Sequence, residues 1–155
     1  MTVGEDCRIL SYQVSAEPWL VTIGDGVTVS SDVLFITHDG AGWLFRDRST
    51  GDRAYRYAPI SIGRDCFIGA RAVLMPGVRV GDGSVIAAGS VVHRSVPAGV
   101  IVGGNPARII STTDAFARKV GSWRRTTDQR GKTYRDRVDS IVDNHFLPDL
   151  VPPDR

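Results

Sequence analysis

The amino-acid sequence predicts an all-β fold in which the chain winds as a coil with three short faces. Three observations predict it: an aliphatic residue recurs at every sixth position, a small residue often follows it, and the position four residues later is also restricted. Every sixth residue of an α-helix moves around the helix circumference, so this spacing does not produce a helix with one apolar face. In a three-faced coil, each face contributes one inward aliphatic residue and one inward small residue.

Two stretches of the chain carry this repeat. The glycine that often follows the aliphatic residue is interpreted as the backbone freedom that a corner needs. Three repeats make one coil, and the repeats present predict about four coils whose backbones pair into parallel sheets. The aliphatic positions are Ile62, Ile68, Leu74, Val80, Ile86 and Val92, preceded by Ile23, Val29 and Phe35 and by a degenerate copy at Val3 and Ile9.

The repeat is interrupted once and then ends. Residues 39–59 form a loop insertion that is rich in glycine, charged residues and aromatic residues. Long loops inside a compact domain are usually functional or disordered. The sequence therefore predicts one β-helix domain over residues 1–111, with this loop insertion, and a C-terminal extension over residues 112–155.

An α-helix is predicted within the extension. Its apolar residues are spaced to lie on one helical face, and Pro148 stops the helix. The pattern predicts a helix over about residues 133–147, and we expect it to cover an open sheet edge at the end of the coil. These apolar residues are Tyr134, Val138, Ile141, Val142 and Phe146.

Composition and charge exclude several classes of function. Nineteen basic residues against seventeen acidic residues leave a formal net charge of +2, far below the positive field that a duplex DNA binder needs. No apolar run is long enough to span a membrane, and acidic residues interrupt the N-terminal region where a secretory signal is apolar. Cys7 and Cys66 share one phase of the repeat, which indicates reduced core residues. We expect a cytoplasmic protein without nucleic acid, membrane insertion or metal.

The repeats resemble those of the hexapeptide-repeat acyltransferases, and most of all the sugar, polysaccharide and xenobiotic O-acetyltransferases. The resemblance covers about residues 3–111 and rests on VTIGDGVTVSSDVLFITHDGA, on ISIGRDCFIGARAVLMPGVRVGDGSVIAAGSVV, and on the terminator GNPAR. It implies a left-handed parallel β-helix, against the usual right-handed crossover preference. It also implies a homotrimer with one site at each subunit interface. Acetyl-CoA would be the cosubstrate, bound in the groove between the three-sided β-helices (prisms) of neighbouring subunits.

His38 is the candidate general base. It stands in ITHDG, where a repeat ends and the loop begins, and in the family the histidine at this place is the catalytic base. A hydroxyl is a poor nucleophile until its proton is removed, and imidazole titrates near neutral pH. Asp39 is a candidate for orienting the imidazole, or equally a turn residue beside Gly40. Trp43 and Phe45, in the loop, are candidates for the acceptor pocket.

The resemblance also implies residues that bind the donor. Arg94 stands where a basic residue of the family pairs with a phosphate of CoA, beside His93, and Arg108 contributes likewise. The planar guanidinium fork of arginine matches phosphate oxygens. Ala70 and Ala88 match small positions whose backbone binds the pantetheine arm, and Gly89 permits a close approach.

These residues together predict an acetyl-CoA-dependent O-acetyltransferase that acts on a hydroxyl of a sugar or saccharide-like acceptor by direct attack. Two alternatives remain open: an N-acetyltransferase of an amino sugar or another acyl-CoA acceptor, and a non-catalytic trimer that binds CoA or a sugar. A zinc enzyme of the gamma carbonic anhydrase type needs three converging histidines. His38, His93 and His145 stand on unrelated elements, which disfavours that class.

Overall fold

A computed structural model describes residues 1–148 of the chain. In this range the chain forms sixteen short strands, followed by two short α-helices, α1 (Thr113–Val120) and α2 (Tyr134–Asp139). In chain order the strands are β1 (Thr2–Val3), β2 (Arg8–Ile9), β3 (Tyr12–Val14), β4 (Val21–Ile23), β5 (Thr28–Val29), β6 (Val33–Phe35), β7 (His38–Asp39), β8 (Arg56–Tyr57), β9 (Ile60–Ile62), β10 (Phe67–Ile68), β11 (Val73–Leu74), β12 (Arg79–Val80), β13 (Val85–Ile86), β14 (Val91–Val92), β15 (Val100–Gly103) and β16 (Arg108–Thr112).

Fourteen of these strands form three parallel sheets, which are the three faces of a β-helix. The first sheet has the order β1-β4-β9-β12, the second β2-β5-β10-β13-β15-β16, and the third β3-β6-β11-β14. Successive strands along the chain visit the three sheets in turn, so the described residues make four coils, as the repeat predicts. Strand β16 runs antiparallel to β15 and ends the second sheet.

The aliphatic residues of the repeat stack one above another in successive coils. None of the nine residues in the sets given below is more than 2% exposed, and burying each stabilises the fold by about 1.5–3 kcal/mol relative to exposure. The stacked sets are Ile23, Ile62 and Val80 in the first sheet, Val29, Ile68 and Ile86 in the second, and Phe35, Leu74 and Val92 in the third.

The second restricted phase of the repeat also points inward. Cys66 is buried, and its thiol donates a hydrogen bond to the carbonyl oxygen of Gly81 at 3.2 Å. Burial raises the pKa of the Cys66 thiol, which keeps the thiol protonated and unreactive. Ser84 and Ser90 occupy the same phase, and each hydroxyl donates to a backbone carbonyl oxygen at 2.7 Å. The polar members of the core are therefore satisfied.

The glycines that follow the aliphatic residues are needed for a reason that the sequence analysis did not identify. Their backbone does not have a positive φ; the left-handed corner positions are occupied by other residues, such as Asp65 and Arg71. A Cβ atom on Gly69 would lie 2.5 Å from the backbone nitrogen of Ala88 in the next coil. The glycine is required because successive coils approach closely there.

Two insertions leave the β-helix at one corner of the prism. The loop of residues 39–59 was expected, and it returns through β8, which pairs antiparallel with β7. Residues 15–20 form a second, shorter insertion that contains a 3-10 turn at Pro18–Leu20. These insertions follow β6 and β3, which are neighbours in the third sheet. Their first residues therefore meet at the same corner.

The C-terminal extension differs from the prediction. Helix α2 begins as expected, with the Thr133 side chain accepting a hydrogen bond from the backbone N–H of Asp136, but it ends at Asp139 and does not reach residue 147. Ser140, Asp143 and Asn144 favour caps and turns over a helix interior. Asp143 accepts the backbone N–H of His145 in a local turn. Short helices without a buried face are marginal in water.

The described residues divide into two compact units, residues 1–118 and residues 119–148. Helix α1 was not expected, because residues 111–132 were interpreted only as a polar and basic segment. The predicted role of the terminal helix as a cover for the coil stays a prediction. Among the described residues, none of the helices has the length and apolar character needed to cross a membrane.

Candidate functional site

His38 and Glu17 meet at the corner where the two insertions leave the prism. The Nδ1 atom of His38 lies 2.9 Å from Oε2 of Glu17. Thr37, which is fully buried, donates its hydroxyl to the same carboxylate oxygen at 2.7 Å. The Glu17 side chain is 12% exposed and the His38 side chain 40% exposed. The imidazole is therefore fixed on its inner edge and open to a ligand on its outer edge.

The hydrogen bonds to Glu17 determine both its charge and the tautomer of His38. The hydrogen bond from His38, and then that from Thr37, lower the pKa of Glu17 below its ordinary value, so the carboxylate is ionised at neutral pH. A carboxylate only accepts hydrogen bonds, so Nδ1 of a neutral His38 must carry the proton. The lone pair of the ring then lies on Nε2.

Strand β8 brings Tyr57 against the histidine. His38 and Tyr57 are paired residues in the antiparallel β7–β8 hairpin, and their ring centroids are 5.8 Å apart. The Tyr55 ring stacks on Tyr57 with a centroid distance of 6.0 Å and an interplanar angle of 19°. The backbone N–H of Ala58 donates to the carbonyl oxygen of Thr37 at 2.9 Å, which holds the returning strand at the corner.

A cavity of about 450 Å³ lies beside this pair and is lined by Glu17, Trp19, Leu20 and Tyr57. Trp19 is 69% exposed and belongs to the 3-10 turn that follows Glu17. Glu17 and Trp19 were not predicted from the sequence. They lie in the insertion of residues 15–20, between a degenerate repeat and the first regular one, where the six-residue period does not apply. The sequence did contain one signal: a carboxylate and an aromatic residue, Glu17 and Trp19, stand at the same corner as His38, one coil earlier.

Asp39 does not orient the imidazole in the structure, which corrects its assignment as a catalytic residue. Its carboxylate accepts the backbone N–H of Ala41 at 2.9 Å and caps the 3-10 turn Gly40–Leu44. Neighbouring residues of a strand point to opposite faces, so Asp39 and His38 cannot both face the same pocket. Asp39 is the turn residue of the alternative reading, and Glu17 occupies the position of an orienting carboxylate.

Trp43 and Phe45 stand on or next to that 3-10 turn. The guanidinium of Arg53 lies 3.3 Å from the centroid of the Trp43 ring, a cation–π contact that holds two parts of the loop together. Phe45 is 76% exposed. Neither residue is among those that line the cavity beside His38 within residues 1–148. Their predicted role in acceptor binding stays a prediction that this cavity does not support.

The structure brings three of the predicted donor residues together. His93, Arg94 and Arg108 line a groove of about 430 Å³ at the last coil. All three are exposed, and within residues 1–148 neither arginine forms an ion pair with a carboxylate. The two guanidinium groups are therefore available to an anionic group such as a phosphate.

The remaining donor residues lie at a different corner. Ala70 and Gly89 are in successive coils between the second and third sheets, and the N–H of Gly89 donates to the carbonyl oxygen of Ala70 at 2.8 Å. Gly89 has a φ of +69° and no atom within 4 Å of an added Cβ, and Ala88 beside it is exposed. This corner is a shallow surface of small residues. It lies across the third sheet from the corner that carries His38 and His93.

His38 and His93, the two histidines of the β-helix, do not meet. His38 and His93 lie at the same corner but two coils apart, and His145 is in the C-terminal unit, where its ring lies 2.8 Å from Asp143. Among the described residues, no group of three or more histidine, cysteine, aspartate or glutamate side chains is arranged to hold a metal ion.

Comparison with known proteins places this geometry in a family. Residues 59–94 match the family described as hexapeptide repeat of succinyl-transferase. The chain is 45% identical to Protein CapG of Staphylococcus aureus over 122 residues, which cover 76% of this chain and 69% of CapG. The structure of the hexapeptide-repeat containing acetyltransferase VCA0836 from Vibrio cholerae superposes with a TM-score of 0.62 and 33% identity, covering 71% of this chain and 61% of that one.

A second solved structure is galactoside acetyltransferase in complex with coenzyme A. It superposes with a TM-score of 0.56 and 29% identity, over 75% of this chain and 62% of that one. The chain thus spans between about three fifths and just over two thirds of the length of these proteins. The solved neighbours are left-handed parallel β-helices, so the predicted fold class is confirmed. The chain belongs to the hexapeptide-repeat acetyltransferase family.

Proposed function

We propose that this protein is an acetyl-CoA-dependent O-acetyltransferase that acetylates a hydroxyl group of a saccharide, with His38 as the general base. One observation carries the proposal: the imidazole of His38 is anchored through Nδ1 to the carboxylate of Glu17, and the His38 side chain stays 40% exposed beside Glu17 and Tyr57, which line a cavity. A non-catalytic scaffold has no need for a histidine held in this way.

The role of Glu17 is to position the base. Its carboxylate holds the Nδ1 proton, which leaves Nε2 able to accept a proton from a ligand in the cavity. When His38 becomes positively charged, the same carboxylate stabilises the imidazolium, as the third group of a nucleophile–base–orienter arrangement does. Thr37 holds the carboxylate in place from the buried side.

The transfer step follows from this arrangement. Acetyl-CoA supplies an acetyl group activated as a thioester. His38 Nε2 takes the proton of the acceptor hydroxyl while the hydroxyl oxygen bonds to the acetyl carbon and the carbon–sulfur bond breaks. His38 then returns its proton to the sulfur, so the products are an acetyl ester and the CoA thiol. General base catalysis of this kind contributes about 10²–10⁴-fold in rate.

The residues present fit an acyl-CoA donor. Ala70, Ala88 and Gly89 themselves carry no large side chain that would obstruct an extended arm, and their backbone is close to the surface. Arg94 and Arg108 provide two guanidinium groups in one groove for phosphate oxygens. These two sets of residues lie at opposite corners of the third sheet. A single chain therefore does not gather them around one donor.

A second copy of the chain would complete the donor site. We propose a homotrimer in which the donor lies between prisms, with the small-residue corner of one subunit facing the His38 corner of the next. The outward residues of the third sheet support it, since Leu34, Val73 and Val91 are apolar and only half-buried in the single chain. Apolar stripes of this kind on a sheet face indicate a contact with another protein surface.

The saccharide acceptor is inferred from the aromatic lining of the cavity and from the similarity to galactoside acetyltransferase. The test uses purified protein, radiolabelled acetyl-CoA and a panel of saccharides and amino sugars. We expect labelled saccharide whose label is released by mild alkali, because an acetyl ester is cleaved there and an acetamide is not. Label stable to alkali would indicate N-acetylation instead. Equal transfer with and without protein would indicate the scaffold.

A further inference from the structure

Three aromatic side chains beside His38 are exposed, although neither the fold nor the proton transfer requires them. Trp19, Tyr55 and Tyr57, here called the aromatic row, are 69%, 61% and 52% exposed. Tyr57 contacts the His38 ring and Tyr55 stacks on Tyr57. Trp19 lines the same cavity as Tyr57. The row therefore begins at the base and continues away from it along β8.

The hairpin geometry accounts for this arrangement. Tyr57 lies on the face of β8 that carries His38 on its partner strand, and the ring of Tyr55, just before β8, stacks on the Tyr57 ring. Arg56 lies on the opposite face, where its guanidinium reaches to 3.4 Å from the position of a Cβ on Gly77 in the prism. The Arg56 guanidinium is thus next to the prism, whereas the Tyr55 and Tyr57 rings are more than half exposed.

Anchoring of the loop does not explain why Tyr55 and Trp19 are exposed in the single chain. A side chain that pins a loop gains its free energy from burial, whereas Tyr55 leaves most of its surface in solvent and stacks on another exposed ring. Large exposed apolar surfaces next to a catalytic group usually mark a binding site. The arrangement matches a ligand with flat apolar faces and polar edges, because tyrosine and tryptophan combine an apolar ring with one polar group.

A pyranose ring has this character, with C–H groups on its face and hydroxyls around its edge. The Tyr55 and Tyr57 rings are nearly parallel, with centroids 6.0 Å apart, so Tyr55 continues the aromatic surface by one ring beyond Tyr57. We propose that Trp19 and Tyr57 hold the sugar ring that is acetylated, and that Tyr55 holds the next ring of an oligosaccharide or polysaccharide. This inference rests on the proposed function.

The consequence is a preference for longer acceptors. We expect the contact at Tyr55 to lower KM for the acceptor by about 2–10-fold, which corresponds to about 0.4–1.4 kcal/mol. The step catalysed by His38 is unchanged, because Tyr55 does not touch the reacting atoms. The preference therefore resides in KM for the acceptor and not in kcat.

The experiment compares three series of acceptors for the intact protein, each with one, two and three sugar units. The series are built from galactose, from the glucose units of maltose and from the N-acetylglucosamine units of chitobiose. We expect KM to fall from one unit to two in the accepted series. Tyr55→Ala removes that fall and leaves the single sugar unaffected, Tyr55→Phe retains it, and Trp19→Ala raises KM for every length. Tyr134→Ala, an exposed tyrosine in the other unit, is the matched control, and thermal melting confirms that each variant is folded.

Two results would overturn the inference. One is a KM that does not depend on the number of sugar units; the other is a dependence that Tyr55→Ala leaves intact. If none of the three series is acetylated at any length, the saccharide assignment is also wrong. Release of CoA thiol from acetyl-CoA separates these failures from a failure of the proposed function, because release that depends on His38 shows that the base operates even when the acceptor has been misidentified.

Discussion

Oε2 of Glu17 lies 2.9 Å from Nδ1 of His38 although the two residues are 21 positions apart in the sequence. They meet because β3 and β6 are neighbours in the third sheet and each is followed by an insertion at the same corner. The β-helix therefore provides two adjacent exits from a rigid core. His38, the proposed base, and Glu17, the proposed orienting carboxylate, lie on those exits, which limits the motion of both.

Substitution Glu17→Gln tests the positioning role. Glutamine keeps the size and can still accept a hydrogen bond from Nδ1, but it removes the negative charge that stabilises the imidazolium. We expect kcat to fall by about tenfold or more and KM for acetyl-CoA to stay constant. Glu17→Ala should reduce kcat further, since the tautomer is no longer fixed. An unchanged kcat in both variants would show that Glu17 has only a structural role.

The stability of the fold should depend on pH through the same carboxylate. Its pKa is lowered in the folded protein from the ordinary value of 4.5, so ionised Glu17 stabilises the fold above that pH, and this stabilisation is lost as the pH falls through the lowered pKa. We expect the wild type to have a higher free energy of unfolding than Glu17→Gln at pH 7, with a difference that shrinks below 4.5. Urea unfolding at a series of pH values measures it. A difference that stays constant down to pH 2.5 would contradict this coupling.

Close packing of successive coils makes Gly69 intolerant of a side chain. A Cβ there would lie 2.5 Å from the nitrogen of Ala88 and 2.7 Å from the carbonyl oxygen of Ile86, and both are backbone atoms that cannot move without separating two coils. We expect Gly69→Ala to destabilise the fold by about 1–3 kcal/mol. Gly40→Ala is the control, because no atom lies within 4 Å of its added Cβ. Equal unfolding midpoints for the two variants would argue against this cause.

Arg94 and Arg108 should bind the nucleotide end of the donor. Arg94→Ala and Arg108→Ala should each raise KM for acetyl-CoA by about tenfold or more, since a hydrogen bond to a charged group contributes about 1.5–3 kcal/mol. KM for acetyl-pantetheine, which lacks the nucleotide, should not change. Arg135→Ala, an exposed arginine in α2 that pairs with Asp139, is the matched control. The same loss with both donors would place these arginines outside a phosphate site.

The fold was more predictable than the site, for a physical reason. Residues such as Ile68, Leu74 and Ile86 follow the six-residue period because each occupies an equivalent position in a stacked coil, and the period is visible in any one sequence. Glu17 lies in an insertion, where no period applies, and its position depends on the pairing of β3 with β6. Asp39 was a candidate for orienting the imidazole because it is next to His38 in sequence, although strand geometry turns adjacent side chains to opposite faces.

In the C-terminal unit, a regular apolar spacing predicted more structure than is present. The apolar spacing from Tyr134 to Phe146 predicts a longer helix than the one present, because spacing does not measure burial. Phe146 is fully exposed and Val142 half exposed in the structure. Without a packed face, the local hydrogen bonds of Ser140 and Asp143 determine where the helix ends.

The most direct measurement is the rate of acetyl transfer by the His38→Ala variant compared with wild type, at saturating acetyl-CoA and with the same saccharide acceptor. A histidine that removes the acceptor proton predicts a loss of about 10²-fold or more, with binding of acetyl-CoA retained by calorimetry. Transfer at the wild-type rate by a folded His38→Ala protein would contradict the assignment of His38 as the base.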